Sequence, residues 1–291
     1  MPRGLPIVQV GAKARAAVEA SGGVVRVLAA LSESLYLLAG EEIVWLGGRD
    51  ATLHPRALLT ATRTVPVALA PSRLFQRPRS VRLDLAGARV WAPAPPPRGP
   101  AAVDAVRRGA RALRAQLPTL GEPQSFAAFL LGRPLPALLA PAAASAAALL
   151  RACADDDAAG AATAARKLLG LGPGLTPAGD DVVGGAFFAR AVLRALGDDG
   201  GAPEHEAWAR AAAAVVAAAR IATHAISATL LADLCAGDAY APLHELAGAL
   251  AADAPLAHAA EAARRLVRLG HASGWDLLAG FLGALTGPPD G

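Results

Sequence analysis

Ala92-Pro93-Ala94-Pro95-Pro96-Pro97-Arg98-Gly99-Pro100 divides the chain. A run of prolines offers few N–H groups to a sheet and cannot sit in a helix interior, so it reads as a stiff linker. The residues on its two sides follow different periods. Before it lie short apolar runs: Val24-Val25-Arg26-Val27-Leu28, Ser34-Leu35-Tyr36-Leu37-Leu38, Ile43-Val44-Trp45-Leu46 and Val65-Pro66-Val67-Ala68-Leu69. Gly22-Gly23, Gly40 and Gly47-Gly48 punctuate the first three. Ser80-Val81-Arg82-Leu83-Asp84-Leu85 alternates polar and apolar residues, the pattern of a half-buried strand, and Ala88-Arg89-Val90-Trp91 follows it.

After the prolines the period becomes helical. Val103, Val106, Ala110, Leu113 and Leu117 form one apolar stripe, with Arg107, Arg108, Arg111 and Arg114 beside it. The same reasoning predicts helices over 124–131, 142–153, 158–169, 180–197, 204–219, 221–235, 243–251, 256–269 and 275–285. The fold class is therefore α+β. A small β-rich N-terminal domain (1–92) precedes a Pro-rich linker (93–100) and a larger all-α domain (101–291).

The chain has 291 residues, of which 54% are hydrophobic and only 4% aromatic, so the core is built largely from Ala, Leu and Val. Alanine favours helix whatever the function. The net charge is +4, a mild excess, with basic residues gathered in 63–89 and at Arg107, Arg108, Arg111 and Arg114. A nucleic-acid footprint needs a basic face, often with aromatic platforms, and aromatics are too few here to supply them. Cys153 and Cys235 lie far apart with no metal-ligand spacing, which suits a reducing cytoplasm. Met1-Pro2-Arg3-Gly4-Leu5-Pro6 lacks the apolar core of a signal peptide. Pro134 to Leu150 is apolar but interrupted by prolines, and reads as soluble helix and not as a membrane span.

The densest cluster of informative residues is Gly170-Leu171-Gly172-Pro173-Gly174-Leu175-Thr176-Pro177-Ala178-Gly179-Asp180-Asp181. Its glycines permit backbone angles that other residues avoid and let N–H groups approach a ligand. Thr176-Pro177 predicts a helix start, with Thr as the cap and Pro in the first turn. A helix N-terminus favours anions. The commoner explanation for an isolated turn of this kind is a tight connection between helices. It is not a P-loop, since no Gly-Lys-Ser/Thr follows. Asp180 and Asp181 weigh against the bland explanation. They would repel a bare phosphate, so an anion there needs a bridging Mg²⁺ or nearby Arg/Lys. Alternatively they receive the N–H groups of an amide or ureido substrate. Mg²⁺ is the only cofactor the residues suggest.

A similar pattern recurs near the C-terminus. Ala178-Gly179-Asp180-Asp181-Val182-Val183-Gly184-Gly185-Ala186-Phe187 aligns with Ser273-Gly274-Trp275-Asp276-Leu277-Leu278-Ala279-Gly280-Phe281-Leu282. Asp181 then matches Asp276, and Gly185 matches Gly280. Ser273 with Asp276 also resembles a weak capping box, and glycines within helices often serve packing alone. The functional reading brings the two helix starts together, so that Asp181 and Asp276 converge on one ligand with His271 and Ser273 at the rim. Thr223 and Ser227, four residues apart, would share a helix face. Their hydroxyls then either bond back to the preceding turn or, with His224, join the same pocket. His205, His244 and His258 stand among exposed-looking residues, and His54 precedes Pro55 in a loop.

These motifs, together with Gly270-His271-Ala272-Ser273-Gly274-Trp275-Asp276, resemble a bacterial family of formerly unknown function, identified as a subunit of oxamate carbamoyltransferase in anaerobic allantoin degradation. The β-rich first part resembles that family by pattern only. Ala178 stands where many relatives carry Ser. The resemblance implies purine catabolism and one reaction: oxalurate plus phosphate gives oxamate plus carbamoyl phosphate. It also implies a multi-subunit assembly with other carbamoyltransferase subunits as partners and this chain as an oligomer; the cysteines and the composition add a cytoplasmic setting and neither nucleic acid nor membrane as a partner.

Under that reading Asp181, His271 and Asp276 are the catalytic candidates, with His271 as general acid. Gly172, Gly174, Leu175, Thr176, Gly179, Asp180, Thr223, Ser227, Ser273 and Gly274 are the candidates for binding a small anionic or ureide substrate. No protein metal ligand is assigned. Two alternatives stay open: a non-catalytic scaffold subunit, in which the paired glycines serve packing, and a Mg²⁺-dependent phosphotransferase.

Overall fold

The computed structural model describes residues 5–65, 80–197 and 203–289. The chain forms two compact units, Met1–Pro93 and Ala94–Gly291. It is α+β, with the strands in the first unit and the long helices in the second.

The first unit runs β1 (Leu5–Gly11), α1 (Ala12–Ala20), β2 (Val24–Ala30), β3 (Leu35–Ala39), β4 (Glu42–Gly47), β5 (Ala57–Thr60), β6 (Ser80–Asp84) and β7 (Arg89–Trp91). The sheet order is β5-β4-β3-β2-β6-β1-β7, and β5 also pairs with β1, so the first six strands close into a ring. One edge of β1 is shared: Leu5 and Pro6 pair with β6, whereas Gln9 to Gly11 pair with β7. Ile7, Val10, Val25, Leu37, Val44, Leu46 and Leu58 fill the interior with Val18 of α1. The alternation predicted for 80–85 holds, with Leu83 buried between exposed Arg82 and Asp84. Val65 itself lies outside any strand, and Pro66 to Leu69 fall outside the described residues. His54 is buried against Trp45.

The second unit contains α2 (Pro100–Ala115), α3 (Ser125–Leu130), α4 (Ala143–Ala154), α5 (Ala158–Arg166), α6 (Ala178–Leu196), α7 (Pro203–Ala222), α8 (Ala225–Cys235), α9 (Ala241–Ala251), α10 (Leu256–Leu266) and α11 (Ser273–Thr286). Helix α2 starts at Pro100, whose missing N–H costs nothing in a first turn. Residues 134–139 are not helical; a 3₁₀ turn at Ala140–Ala142 leads into α4. His244 departs from its exposed-looking context: it packs edge-on to Phe188 and its Nε2 accepts the Ala239 N–H at 3.0 Å. No helix among the described residues is long and apolar enough to cross a membrane.

Helices α6 and α11 form the centre of this unit. Almost every residue of both is buried, as expected of helices that are apolar all round. Beyond its acidic first turn α6 carries two charged residues, half-buried Arg194 and Arg190, and Arg190 is only 5% exposed. It donates to Asp156 and to the Cys153 carbonyl and lies over the Trp208 ring, 4.5 Å from its centroid. Trp208 Nε1 donates to the same Asp156 oxygen at 2.6 Å. The chain end is secured by Arg114 of α2, which donates to Thr286 Oγ1 and to the carbonyls of Leu130, Gly287 and Pro288.

Candidate functional site

The glycine turn joins α5 to α6. Gly170 has φ 75, and a Cβ there would lie 2.4 Å from the Ala222 carbonyl oxygen, so both the backbone angle and the space call for glycine. Its N–H is directed inward and donates to Asp180 Oδ1 at 2.7 Å. Leu171, Pro173 and Gly174 are exposed, and Gly172, Leu175 and Thr176 are half-buried. The helix start differs from the sequence expectation. Pro177 is the N-cap and Ala178 the first helical residue, with no side-chain cap. Thr176 Oγ1 instead meets Ser273 Oγ at 3.0 Å. The start of α6 is thus tied to the start of α11.

Asp180 is 2% exposed and collects three donors. Besides Gly170 N–H, its Oδ2 accepts the hydroxyls of Thr223 at 2.5 Å and Ser227 at 2.6 Å. Thr223 and Ser227 therefore meet at one point, but not on one helix face. The helix predicted over 221–235 is broken: α7 ends at Ala222, and His224 is the extended N-cap of α8. Asp180 draws the Thr223 hydroxyl inward at the break, while His224 is exposed. A buried carboxylate with this many donors fixes three segments of backbone together. Its bonding capacity is directed into the protein and not toward solvent.

The two helix starts match in space as in sequence. A Cβ on Gly179 would fall 1.9 Å from the Leu168 carbonyl oxygen, and one on Gly274 2.0 Å from that of Leu266. Each glycine seats its helix start on the end of the preceding segment. Further along, a Cβ on Gly185 would lie 2.1 Å from the Leu277 oxygen, and one on Gly280 2.1 Å from the Val182 oxygen. In the alignment of the two segments Val182 is equivalent to Leu277, so these contacts are reciprocal. The capping box suggested for Ser273 and Asp276 does not form. Ala272 is the N-cap of α11, and Asp276 Oδ1 accepts the backbone N–H of Phe126 at 3.0 Å.

Asp181 and Asp276 carry the unusual electrostatics. Asp181 is 8% exposed and Asp276 1% exposed. Burial holds the Asp181 carboxyl well above the usual carboxylate range. The Ser273 and Thr176 hydroxyls pull it down, while the charges of Asp276 and Asp180 push it further up. Burial also pushes Asp276 up to about 7, against the Phe126 N–H and the Ser125 hydroxyl. Each carboxyl has one oxygen, Oδ2, that is buried without a hydrogen-bond partner. Native proteins satisfy nearly all such atoms, and the exceptions gather at functional sites.

Of the remaining candidates, His271 lies in the turn before α11 and is exposed. The structure thus brings together Thr176, Asp181, Ser273 and Asp276, with Asp180, Thr223 and Ser227 forming an adjoining latch. Among the described residues no group of three or more His, Cys, Asp or Glu is placed to hold a metal ion. Ser125 belongs to no motif of the sequence analysis. It is 9% exposed, has φ 48, and its hydroxyl is buried without a hydrogen-bond partner beside the Asp276 carboxyl. A lone Ser between Gln124 and Phe126 carries no signal of this, since the neighbour lies 150 residues on from Phe126.

Residues 168–285 match the family model described as oxamate carbamoyltransferase subunit AllH. The match takes in the glycine turn, the Thr223–Ser227 break and both aspartate-bearing helix starts. The family resemblance carried by those motifs is borne out over these residues. Neither the first unit nor α2 to α5 falls within the match. No curated protein and no solved structure matches the chain.

Proposed function

We propose, with that family match as the premise, that the chain is a subunit of an oxamate carbamoyltransferase-type complex and that it binds the amide part of an oxamate or oxalurate ligand at Asp181 and Asp276. The observation that carries the reading is the pair of buried carboxyls, each with an unpartnered oxygen, at two helix starts tied together through Thr176 and Ser273. A ureide presents N–H donors and carbonyl acceptors. Asp276, whose carboxyl is pushed up to about 7, meets both.

The reaction is a phosphorolysis. A phosphate oxygen attacks the carbamoyl carbon of oxalurate, and the bond from that carbon to the amide nitrogen breaks. The departing nitrogen takes a proton while the attacking hydrogen phosphate gives one up, leaving oxamate and carbamoyl phosphate. An acid whose pKa lies near the working pH serves such a transfer best, and Asp276 at about 7 meets that condition. His271 is exposed in the turn before α11. The exposed turn around Gly172 and Gly174 supplies backbone N–H groups for the anionic part of the ligand. The reading carries with it the other subunits as partners and a cytoplasmic setting.

The test is turnover of the reconstituted complex. Asp276→Asn should lower kcat by about 100-fold or more, the size of a general-acid contribution, and His271→Ala should leave it within a few-fold. Wild-type turnover in both Asp181→Asn and Asp276→Asn would remove the assignment. A scaffold role is the second reading, favoured by the use of Gly179, Gly185, Gly274 and Gly280 in backbone packing. Calorimetry separates them: a scaffold gives no heat with oxamate, phosphate or carbamoyl phosphate, with or without Mg²⁺.

A further inference from the structure

Ser125 supports a more specific statement about the ligand. It lies at the start of α3, outside the residues matched by the family model. Three observations on it are independent. Its hydroxyl oxygen is buried and has no hydrogen-bond partner. It stands beside the Asp276 carboxyl, whose Oδ2 is likewise buried and unpartnered while Oδ1 is held by the Phe126 N–H. Its backbone, at φ 48, is in the left-handed region that a residue with a side chain adopts only at a cost. The backbone angle alone says nothing about a ligand, but the two idle oxygens do. The Ser125 hydroxyl lies near enough to the Asp276 carboxyl to pull its pKa down, yet neither it nor Oδ2 completes a hydrogen bond of good geometry within the protein.

We infer that the Ser125 hydroxyl and Asp276 Oδ2 act together as a donor–acceptor pair that receives a primary carboxamide: Ser125 donates to the carbonyl oxygen and Asp276 accepts from the amide nitrogen. The inference rests on the function proposed above and adds a residue and a selectivity rule to it. A primary amide presents its oxygen and its N–H on one edge, which is the complement of a hydroxyl beside a carboxylate oxygen. Oxamate carries this group. Oxalate has the same shape but replaces the NH₂ with a second charged oxygen, which would face Asp276 with no proton to give. A site built to hydrogen-bond an N–H rejects an isostere that lacks it, because its own buried group is then left unpaired.

Binding of oxamate and oxalate to the full chain, measured by calorimetry near pH 7.5, tests this. The wild type should bind oxamate at least tenfold more tightly than oxalate. Ser125→Gly removes the hydroxyl and at the same time relieves the positive φ, so the variant should melt no lower than the wild type yet bind oxamate at least tenfold more weakly. Ser125→Ala removes the hydroxyl but keeps the backbone strain, and should lose the same affinity. Wild-type affinity for oxamate in either folded variant overturns the role of Ser125 and leaves the proposed function standing. No oxamate binding by the wild type overturns both. Loss of folding in both variants would make Ser125 a structural residue and overturn the inference.

Discussion

Gly185 and Gly280 occupy equivalent places on α6 and α11, each lying against the backbone of the other helix. A side chain on either would drive its Cβ to 2.1 Å from a carbonyl oxygen, that of Leu277 or of Val182. The reciprocity means that one crossing sets the approach of both helix starts, and with it the placement of Asp181 and Asp276.

Gly280→Ala and Gly185→Ala should therefore destabilise by similar amounts. The obstructing atoms are backbone, which cannot step aside as a flexible side chain can. Overpacking of this kind costs about 3 kcal/mol. For a unit of this size that lowers Tm by roughly 6–12 °C. Thermal melts followed by helical circular dichroism would show it. An unchanged melt in either variant would mean that the crossing is not rigid.

Asp180→Ala should cost about 3 kcal/mol, because it strands the Gly170 N–H and two hydroxyls, one of them on buried Ser227. Ser227→Ala should cost about half as much, since it leaves the other two donors in place. In the double variant the second change should add little, the mark of groups that share one partner. Urea unfolding of the three variants supplies the cycle. Simple additivity would separate Ser227 from the latch.

The raised pKa of Asp181 and Asp276 sets the pH dependence of stability. Both carboxyls bind protons more tightly when folded than unfolded. For such groups stability is greatest below the unfolded carboxylate pKa and falls as pH rises toward the folded value, which for Asp276 is about 7. Urea midpoints should therefore decline between pH 4.5 and 7.5. Asp276→Asn, which cannot ionise, should flatten that decline. An identical slope in wild type and variant would show that burial of Asp276 has no energetic consequence.

Removing Asp156 should be more harmful than removing Arg190. The guanidinium is the buried member, and without Asp156 it is left as an unpaired charge in the core, a loss of about 3 kcal/mol or more. Arg190→Met replaces the charge with an apolar chain of similar length and should cost less than Asp156→Ala. Comparing the two by urea unfolding checks the order, and the reverse order would place the stabilisation in the Trp208 ring contact.

Much of this organisation is legible in the residues themselves. Proline physics separates the strands from the helices at Pro93–Pro100, and the repeat of Gly, Asp and Gly between 179–185 and 274–280 announces two helices that pack alike. What stayed hidden depends on distance along the chain. Strand β5 is four buried residues, Ala57-Leu58-Leu59-Thr60, and a short apolar run has no period to distinguish strand from helix. Strand β1 begins Leu5-Pro6, and proline argues against a strand unless its neighbours leave that N–H idle. The break at Thr223 is imposed by Asp180, and the acidity of Asp276 is set by burial under α3. Desolvation is a property of the packed molecule. Local sequence draws attention to a histidine such as His271, whereas the raised carboxyl pKa of Asp276 comes from packing alone.

The closure of the strand ring has a temporal side. Strand β1 precedes all of its partners in the chain: β5, β6 and β7 follow it, the last ending at Trp91. Its edge toward β5 can be paired only once Ala57–Thr60 has been made, and its other edge only once nearly the whole unit has been synthesised. Contacts so distant in sequence slow folding and leave an apolar strand unprotected in the interval. The ring is thus assembled from its hairpins and sealed by β1, a strand made before all of its partners. Deleting β1 should cost this unit its closure while leaving the β2–β4 meander free to form.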